Sequence, residues 1–256
     1  MKVICLANLK GGVAKTTTAQ NLGYNLADYG YKTVMIDSDS QCNLTLTTTT
    51  PDKQGYTLGD VYNGTAKLKD CIKRTYADDC FLIAGSPDLA TLDINNILST
   101  KGADCFQVLS KQIKQLKDYD YVVIDTPPSL NTLLVNALFV ADEIIIPVES
   151  DYYSIQGLKN FVTLLHQLKK TLNLKINIAG ILITNYNTRT KISKEVSSLL
   201  DGIAIGLGTK VFDTKIRSTT EVIKASFNKT TVQQQNKKAT ASIDYDNFVK
   251  EYLNIP

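Results

Sequence analysis

The chain has 256 residues, 43% of them hydrophobic, which is enough for one α/β domain with a sizeable core and too few for two comfortable ones. Charged residues make up 21% and long low-complexity tracts are absent, which excludes a wholly disordered chain, and no apolar run approaches the roughly 20 residues that span a bilayer. The net charge is only +3, but ten Lys/Arg against four Asp/Glu between Arg189 and Thr240 give that segment +6 and leave the rest at −3. That asymmetry suggests a polyanionic partner, with a solvated basic face as the plain alternative.

Taken in chain order, apolar β-rich runs alternate with helical patterns. Lys2–Ala7 reads as a first strand; the run Met1 to Leu9 lacks a cleavage-type ending, so it is a strand and not a signal peptide. The spacing predicts a helix over Thr16–Tyr29, stopped by Gly30. Lys32–Ile36 and Phe81–Ala84 are the next strands, and Asp104–Leu116 has helical spacing. Tyr121–Ile124 and Glu143–Val148 are continuous apolar strands, the pattern of a parallel sheet buried on both faces. Then come a helix over Ile155–Leu172, a strand over Ile176–Thr184 and a helix over Ile192–Leu200. A short strand near Lys210–Phe212 and a last helix near Ile243–Leu253 close the series, with the polar stretch Thr230–Ala241 expected as a loop. Such alternation implies a single doubly wound, mostly parallel sheet across residues 1–256, with ligands at the carboxyl ends of its strands.

The segment Lys10-Gly11-Gly12-Val13-Ala14-Lys15-Thr16-Thr17 sits between the first strand and the first helix, the context a phosphate loop requires. Glycines let backbone N–H groups approach phosphate oxygens, and the helix points its positive end at them. Lys15 reaches the β- and γ-phosphates, and the Thr16 hydroxyl suits Mg²⁺. The plain pattern G-x-x-x-x-G-K-[ST] fails, because its glycine positions hold Leu9 and Ala14. If residue 14 needs a positive φ, its alanine costs on the order of 1 kcal/mol.

These residues fit the form K-G-G-x-x-K-[ST], which resembles the ParA/MinD group of deviant Walker ATPases. The resemblance extends to Asp37, Asp39, Gln41 and Asn43, which match D-x-D-P-Q-x-N with Ser40 in place of proline. It continues through the Walker B strand Tyr121-Val122-Val123-Ile124-Asp125, the stretch Pro147–Ser154, the Thr184–Thr190 segment and Val211–Arg217, and so covers nearly the whole chain. Within the group these later stretches lean toward the ParA branch, a DNA-partition ATPase of the P-loop NTPase fold using ATP and Mg²⁺.

The resemblance implies catalytic roles for Lys10, Lys15 and Asp39. Lys10 would cross a dimer interface to the partner's nucleotide, and Asp39 would orient the attacking water. Nucleotide contacts would come from Lys10 to Thr17, with Asn185 and Arg217 near the adenine, and the metal shell from Thr16, Asp37 and Asp125. Arg189 falls where ParA-type proteins bind DNA non-specifically, and Lys191, Lys215 and Lys224 are weaker candidates. The implied partners are a second copy in the ATP state, DNA, and a ParB-type centromere-binding protein. The implied setting is the cytoplasm, at the nucleoid, in the service of plasmid or chromosome segregation.

Three alternatives stay open, one of them a pure interaction module that binds ATP without turnover despite an intact Asp39. A MinD-like membrane-positioning ATPase needs a basic amphipathic C-terminal helix, but Ile243–Pro256 carries Asp244, Asp246 and Glu251 against Lys250, so its apolar residues are expected to dock on the sheet. A metabolic synthetase would use the same loop on a small molecule. The phosphate loop begins at residue 10, so an N-terminal operator-binding domain is not expected. The five cysteines are odd in number and form no Cys-x-x-Cys pair, which argues against zinc or disulfides and for reduced thiols. His166 falls within a helical pattern and reads as structural.

Overall fold

The computed structural model describes residues 1–48, 55–91 and 102–255. From β1 (Lys2–Leu6) the chain enters α1 (Lys15–Asp28), β2 (Thr33–Asp37), α2 (Asn43–Thr48) and α3 (Leu58–Asn63). β3 (Ile72–Arg74) and β4 (Cys80–Ile83) follow, then α4 (Val108–Gln112), β5 (Tyr121–Asp125), α5 (Thr132–Val140) and β6 (Glu143–Glu149). The series ends with α6 (Tyr152–Leu172), β7 (Ile178–Thr184), α7 (Lys191–Gly206), α8 (Thr220–Phe227), α9 (Val232–Gln235) and α10 (Thr240–Leu253).

The described strands form one sheet in the order β3-β4-β2-β5-β1-β6-β7. Every pairing is parallel except β3 with β4, which is antiparallel at the edge. Alternate residues of the central strands enter two cores. Val3, Cys5 and Ile36 pack on the face covered by α3 to α7, and Ile4, Leu6 and Met35 on the face covered by α1 and α8 to α10. With both faces covered, the strands read as unbroken apolar runs. The expected fold class is therefore the observed one.

The register places the site. β5 lies between β2 and β1, with Asp37 opposite Asp125 and Asp125 opposite Leu6. The last residues of three adjacent strands thus end in one row, where the connections after β1 and β2 turn away. A crevice opens at that row, as in other doubly wound sheets.

Several elements depart from the sequence pattern. The expected helix over 104–116 is broken into α4 flanked by 3₁₀ turns at Gly102–Gln107 and Ile113–Leu116. Asn136 of α5 explains the break: its Oδ1 accepts from Leu109 N and its Nδ2 donates to the Cys105 carbonyl, taking groups a continuous helix would use. The expected strand near Lys210–Phe212 reduces to a single bridge between Val211 and Ile181. The polar stretch expected as a loop contains α9, whose N-cap Thr231 and Gln234 form a reciprocal capping box. The C-terminal helix docks as expected, burying Tyr245, Phe248 and Val249 against the sheet.

Candidate functional site

The turn between β1 and α1 holds two left-handed residues, Gly12 at φ 79° and Ala14 at φ 61°, ψ 32°. Ala14 occupies the N-cap of α1 and makes no side-chain cap. The first N–H groups and the positive helix end are therefore offered to an anion. The turn is anchored from outside: Asn8 Nδ2 donates to the Pro147 carbonyl, Asn8 Oδ1 accepts from Lys10 N, and Thr184 Oγ1 donates to the Val13 carbonyl.

A cleft of about 790 Å³ lies over this turn. Gly11, Gly12, Ala14, Lys15, Thr16, Thr17, Asp39 and Asn185 line it, so most residues singled out from the sequence come together here. Val13 lies buried beneath. The far wall consists of Ser218, Thr219 and the apolar Val222, Ile223 and Val232.

Lys15 is 7% exposed and its Nζ donates to the Lys10 carbonyl at 3.0 Å. Burial lowers its pKa, while Asp125 and Asp39 pull the other way. Asp39 stands at the cleft, with Oδ1 accepting from Gln41 N.

The two deeper carboxylates differ in kind. Asp37 Oδ2 accepts from Thr45 N at 2.8 Å and Thr45 Oγ1 at 2.7 Å, and its Oδ1 accepts from Asp39 N. Asp125 is fully buried, and among the described residues neither of its oxygens meets a donor in hydrogen-bonding geometry. Burial, and behind it the neighbouring Asp37, pushes Asp125 up to about 8, against the pull of Thr16 and Lys15. Burial likewise takes Asp37 up to about 6. A carboxylate left unpaired in such a place is costly until a cation arrives.

Lys10 turns away from the cleft of its own chain. Its Nζ donates to Asp151 Oδ2 at 2.7 Å, Ser154 Oγ at 2.7 Å and Glu149 Oε2 at 2.9 Å. Burial works against its charge, but the Asp151 and Glu149 carboxylates prevail and raise its pKa. Glu149 in turn accepts from Asn185 Nδ2 at 2.8 Å.

Arg217 is not brought to the cleft; Asp244 of α10 holds its guanidinium. Of the basic residues proposed for DNA, Arg189 and Lys191 are exposed and form no salt bridge among the described residues. Lys224 pairs with Glu221 at 2.7 Å, and Lys215 lies over the Tyr186 ring.

Sequence reasoning did not assign Asn8, Thr45, Ser154 or Asp244. Each acts through a side-chain contact spanning from eight to 144 positions, which no local pattern announces. Ser218 and Thr219 carried a weak signal, since they follow directly on the Val211–Arg217 segment.

A family model described as an AAA domain matches residues 1–178. The chain is 31% identical over 253 residues to the chromosome-partitioning ATPase Soj of Treponema pallidum, covering 98% of this chain and 97% of that one. Identity to the chromosome-partitioning ATPase Soj of Thermus thermophilus is 34%, over 90% of this chain and 87% of that one. Among solved structures, apo McdA from Cyanothece shares the fold with a TM-score of 0.85 at 24% identity, covering 99% of each chain. Cobyrinic acid a,c-diamide synthase from Mycobacterium smegmatis, with bound ADP and magnesium, matches at a TM-score of 0.81 and 28% identity, over 98% of this chain and 93% of that one.

Proposed function

Because the chain belongs to the ParA/Soj family of partition ATPases, we propose that it works as an ATP-timed DNA-binding switch. It is an ATPase whose ligands are ATP and Mg²⁺. The residues present fit both. The uncapped start of α1 suits a triphosphate, and the orphaned Asp125 carboxylate beside Thr16 suits a divalent cation.

In this reading Thr16 and Asp125 would hold Mg²⁺, which would supply charge neutralisation at the phosphates. Asp37 is committed to Thr45 and Asp39, so its part is to fix the loop that presents Asp39. Lys15 neutralises the phosphates of its own chain. Asp39 orients the attacking water, and little else is asked of the protein, since phosphoryl transfer depends mainly on positioning and electrostatics. Asn185, Ser218 and Thr219 form the wall for the nucleoside end.

The observation that carries the proposal is the direction of Lys10. Its carbonyl is gripped by Lys15, yet its ammonium sits outside the cleft, held by Asp151, Glu149 and Ser154. Turned from its own cleft, this ammonium serves the triphosphate of a second copy once those partners release it, so ATP joins two chains face to face. The joined pair presents two basic surfaces, led by Arg189 and Lys191, to the phosphate backbone of DNA. Hydrolysis, stimulated by a ParB-type partner, releases it. The γ-phosphate thereby biases a two-state element.

The test is DNA binding of wild type and Asp39→Ala with ATP and with ADP, at two salt concentrations. The reading predicts salt-sensitive, sequence-independent binding with ATP alone, persistent in Asp39→Ala. Binding indifferent to nucleotide would refute it, as would ADP release that depends on an added small carboxylate substrate.

A further inference from the structure

After Phe212 the chain runs beside β7 without joining it as a full strand. Phe212 N donates to the Ile181 carbonyl, Ile216 N to Ile183 and Ser218 N to Tyr186. Between these bonds the carboxylates of α10 stand in for a neighbouring strand. Glu251 accepts from Asp213 N at 2.8 Å and Thr214 N at 2.9 Å. Asp244 Oδ2 accepts from Arg217 N at 2.9 Å. The Arg217 guanidinium closes on the same carboxylate, with Nη2 2.6 Å from Oδ1 and Nε 2.9 Å from Oδ2.

Asp244 is 5% exposed and the Arg217 side chain 41%, so this is a charge-assisted fork whose carboxylate end is shielded from water. The same helix also reaches α1. Tyr245, next in sequence, shares a hydrogen bond of 3.2 Å with Thr18 Oγ1, one turn into the helix that begins at the phosphate loop. α10 therefore spans two sides of the cleft: the phosphate-loop helix, and the segment that delivers Ser218 and Thr219 to the far wall.

We infer that Asp244 is a positioning residue for the nucleotide: through Arg217 it fixes the Ser218–Thr219 wall at the distance from the phosphate loop that a whole nucleoside triphosphate spans. The inference rests on the reading above that the nucleoside end lies against that wall. It assigns Arg217 to the wall's support and not to DNA or to the base itself. It also gives α10 a function in ligand selection, beyond covering the sheet.

The two ends of the ligand are separable by experiment. Tripolyphosphate reports on the phosphate loop alone, and ATP reports on the loop and the wall together. Calorimetry with Mg²⁺ on wild type, Asp244→Ala and Asp244→Asn gives both affinities. Wild type binds ATP more tightly than tripolyphosphate. Asp244→Ala loses about tenfold in ATP affinity and less than about twofold in tripolyphosphate affinity, the scale of one charge-assisted hydrogen-bond group. Asp244→Asn keeps the volume and one acceptor for Arg217 N, serves if the alanine variant does not fold, and loses about threefold for ATP. An equal loss for both ligands, or no loss for either, overturns the inference while leaving the placement of the nucleoside intact. A wild type that gains nothing from the adenosine overturns that placement, and the inference falls with it.

Discussion

Lys10 Nζ lies 2.7 Å from Asp151 Oδ2, across 141 positions of sequence. Asp151 is also the N-cap of α6, with its Oδ1 accepting from Ser154 N. The lysine proposed to serve a neighbouring molecule is thus latched within its own chain, and joining two copies requires the latch to open.

Weakening the latch makes that opening easier. Asp151→Asn keeps the N-cap, for which asparagine is as good, and removes the charge. The ATP concentration at half-maximal dimerisation is expected to fall by about threefold, the scale of a partly exposed ion pair. The effect is not a pH switch near neutrality. Burial tends to raise the Asp151 carboxyl, but Lys10 and Ser154 outweigh it and hold it below 3.8. A carboxylate depressed in the folded state contributes fully above its unfolded pKa, and that contribution is lost as pH falls through the lower folded value. The midpoint should therefore shift on substitution, and the size of that shift should stay constant between pH 6 and 8, as read by light scattering. A difference between wild type and variant that changes steeply in that window contradicts the assignment.

Ala14 carries backbone strain that can be relieved. A left-handed alanine costs about 1–2 kcal/mol, while glycine returns up to about 1 kcal/mol through the freedom of its unfolded chain. Ala14→Gly is then expected to stabilise the apo protein by about 0.5 kcal/mol, a shift of about 1–2 °C in Tm. Ala14→Val moves Tm the other way, because a branched Cβ fits this region worst. Calorimetric melting of the three proteins checks the order; a glycine variant below wild type contradicts it.

All five cysteines are buried. Burial pushes Cys42 and Cys80 up to about 12 and Cys71 up to about 11, and carries Cys5 higher still. Since the thiolate is the reactive form, a thiol reagent at pH 8 should label none of them at the rate of a free thiol. All five become reactive in denaturant. One fast-reacting cysteine in the native protein would show that the fold opens locally around it.

The basic surface divides into engaged and disengaged cations. Removing Arg189 and Lys191 together should weaken DNA binding and lower the slope of log K against log salt by about 4 for the joined pair, one unit per lost phosphate contact and two contacts from each chain. Lys224→Ala should change little, because Glu221 already holds that ammonium. Equal slopes for wild type and the double variant, in a filter-binding series over salt, would place the DNA elsewhere.

Much of this was legible from local pattern. The phosphate loop, the carboxylates after β2 and β5, and the parallel sheet follow from residues whose chemistry depends on neighbours one to eight positions away. What stayed hidden depends on distant partners. α5 was missed because its residues from Thr132 to Leu138 are all buried, which erases the helical period, although Asn131 caps it visibly by accepting from Leu134 N. The edge strand β3 is three residues long and only partly buried, too short for a period of two to show. The strand expected near Lys210–Phe212 shrinks to one bridge at Val211; the sequence did not say that two carboxylates 27 to 38 positions later would take the N–H groups that follow it. The same holds for Lys10, whose partners lie at the end of β6 and the start of α6.

The most direct measurement concerns Lys10 itself. Asp39→Ala, expected to retain ATP, and the double variant Lys10→Ala, Asp39→Ala are sized by analytical ultracentrifugation with saturating ATP and Mg²⁺. The account predicts a dimer for the first and a monomer for the second, with ATP bound to both. A double variant that still dimerises on ATP would contradict it.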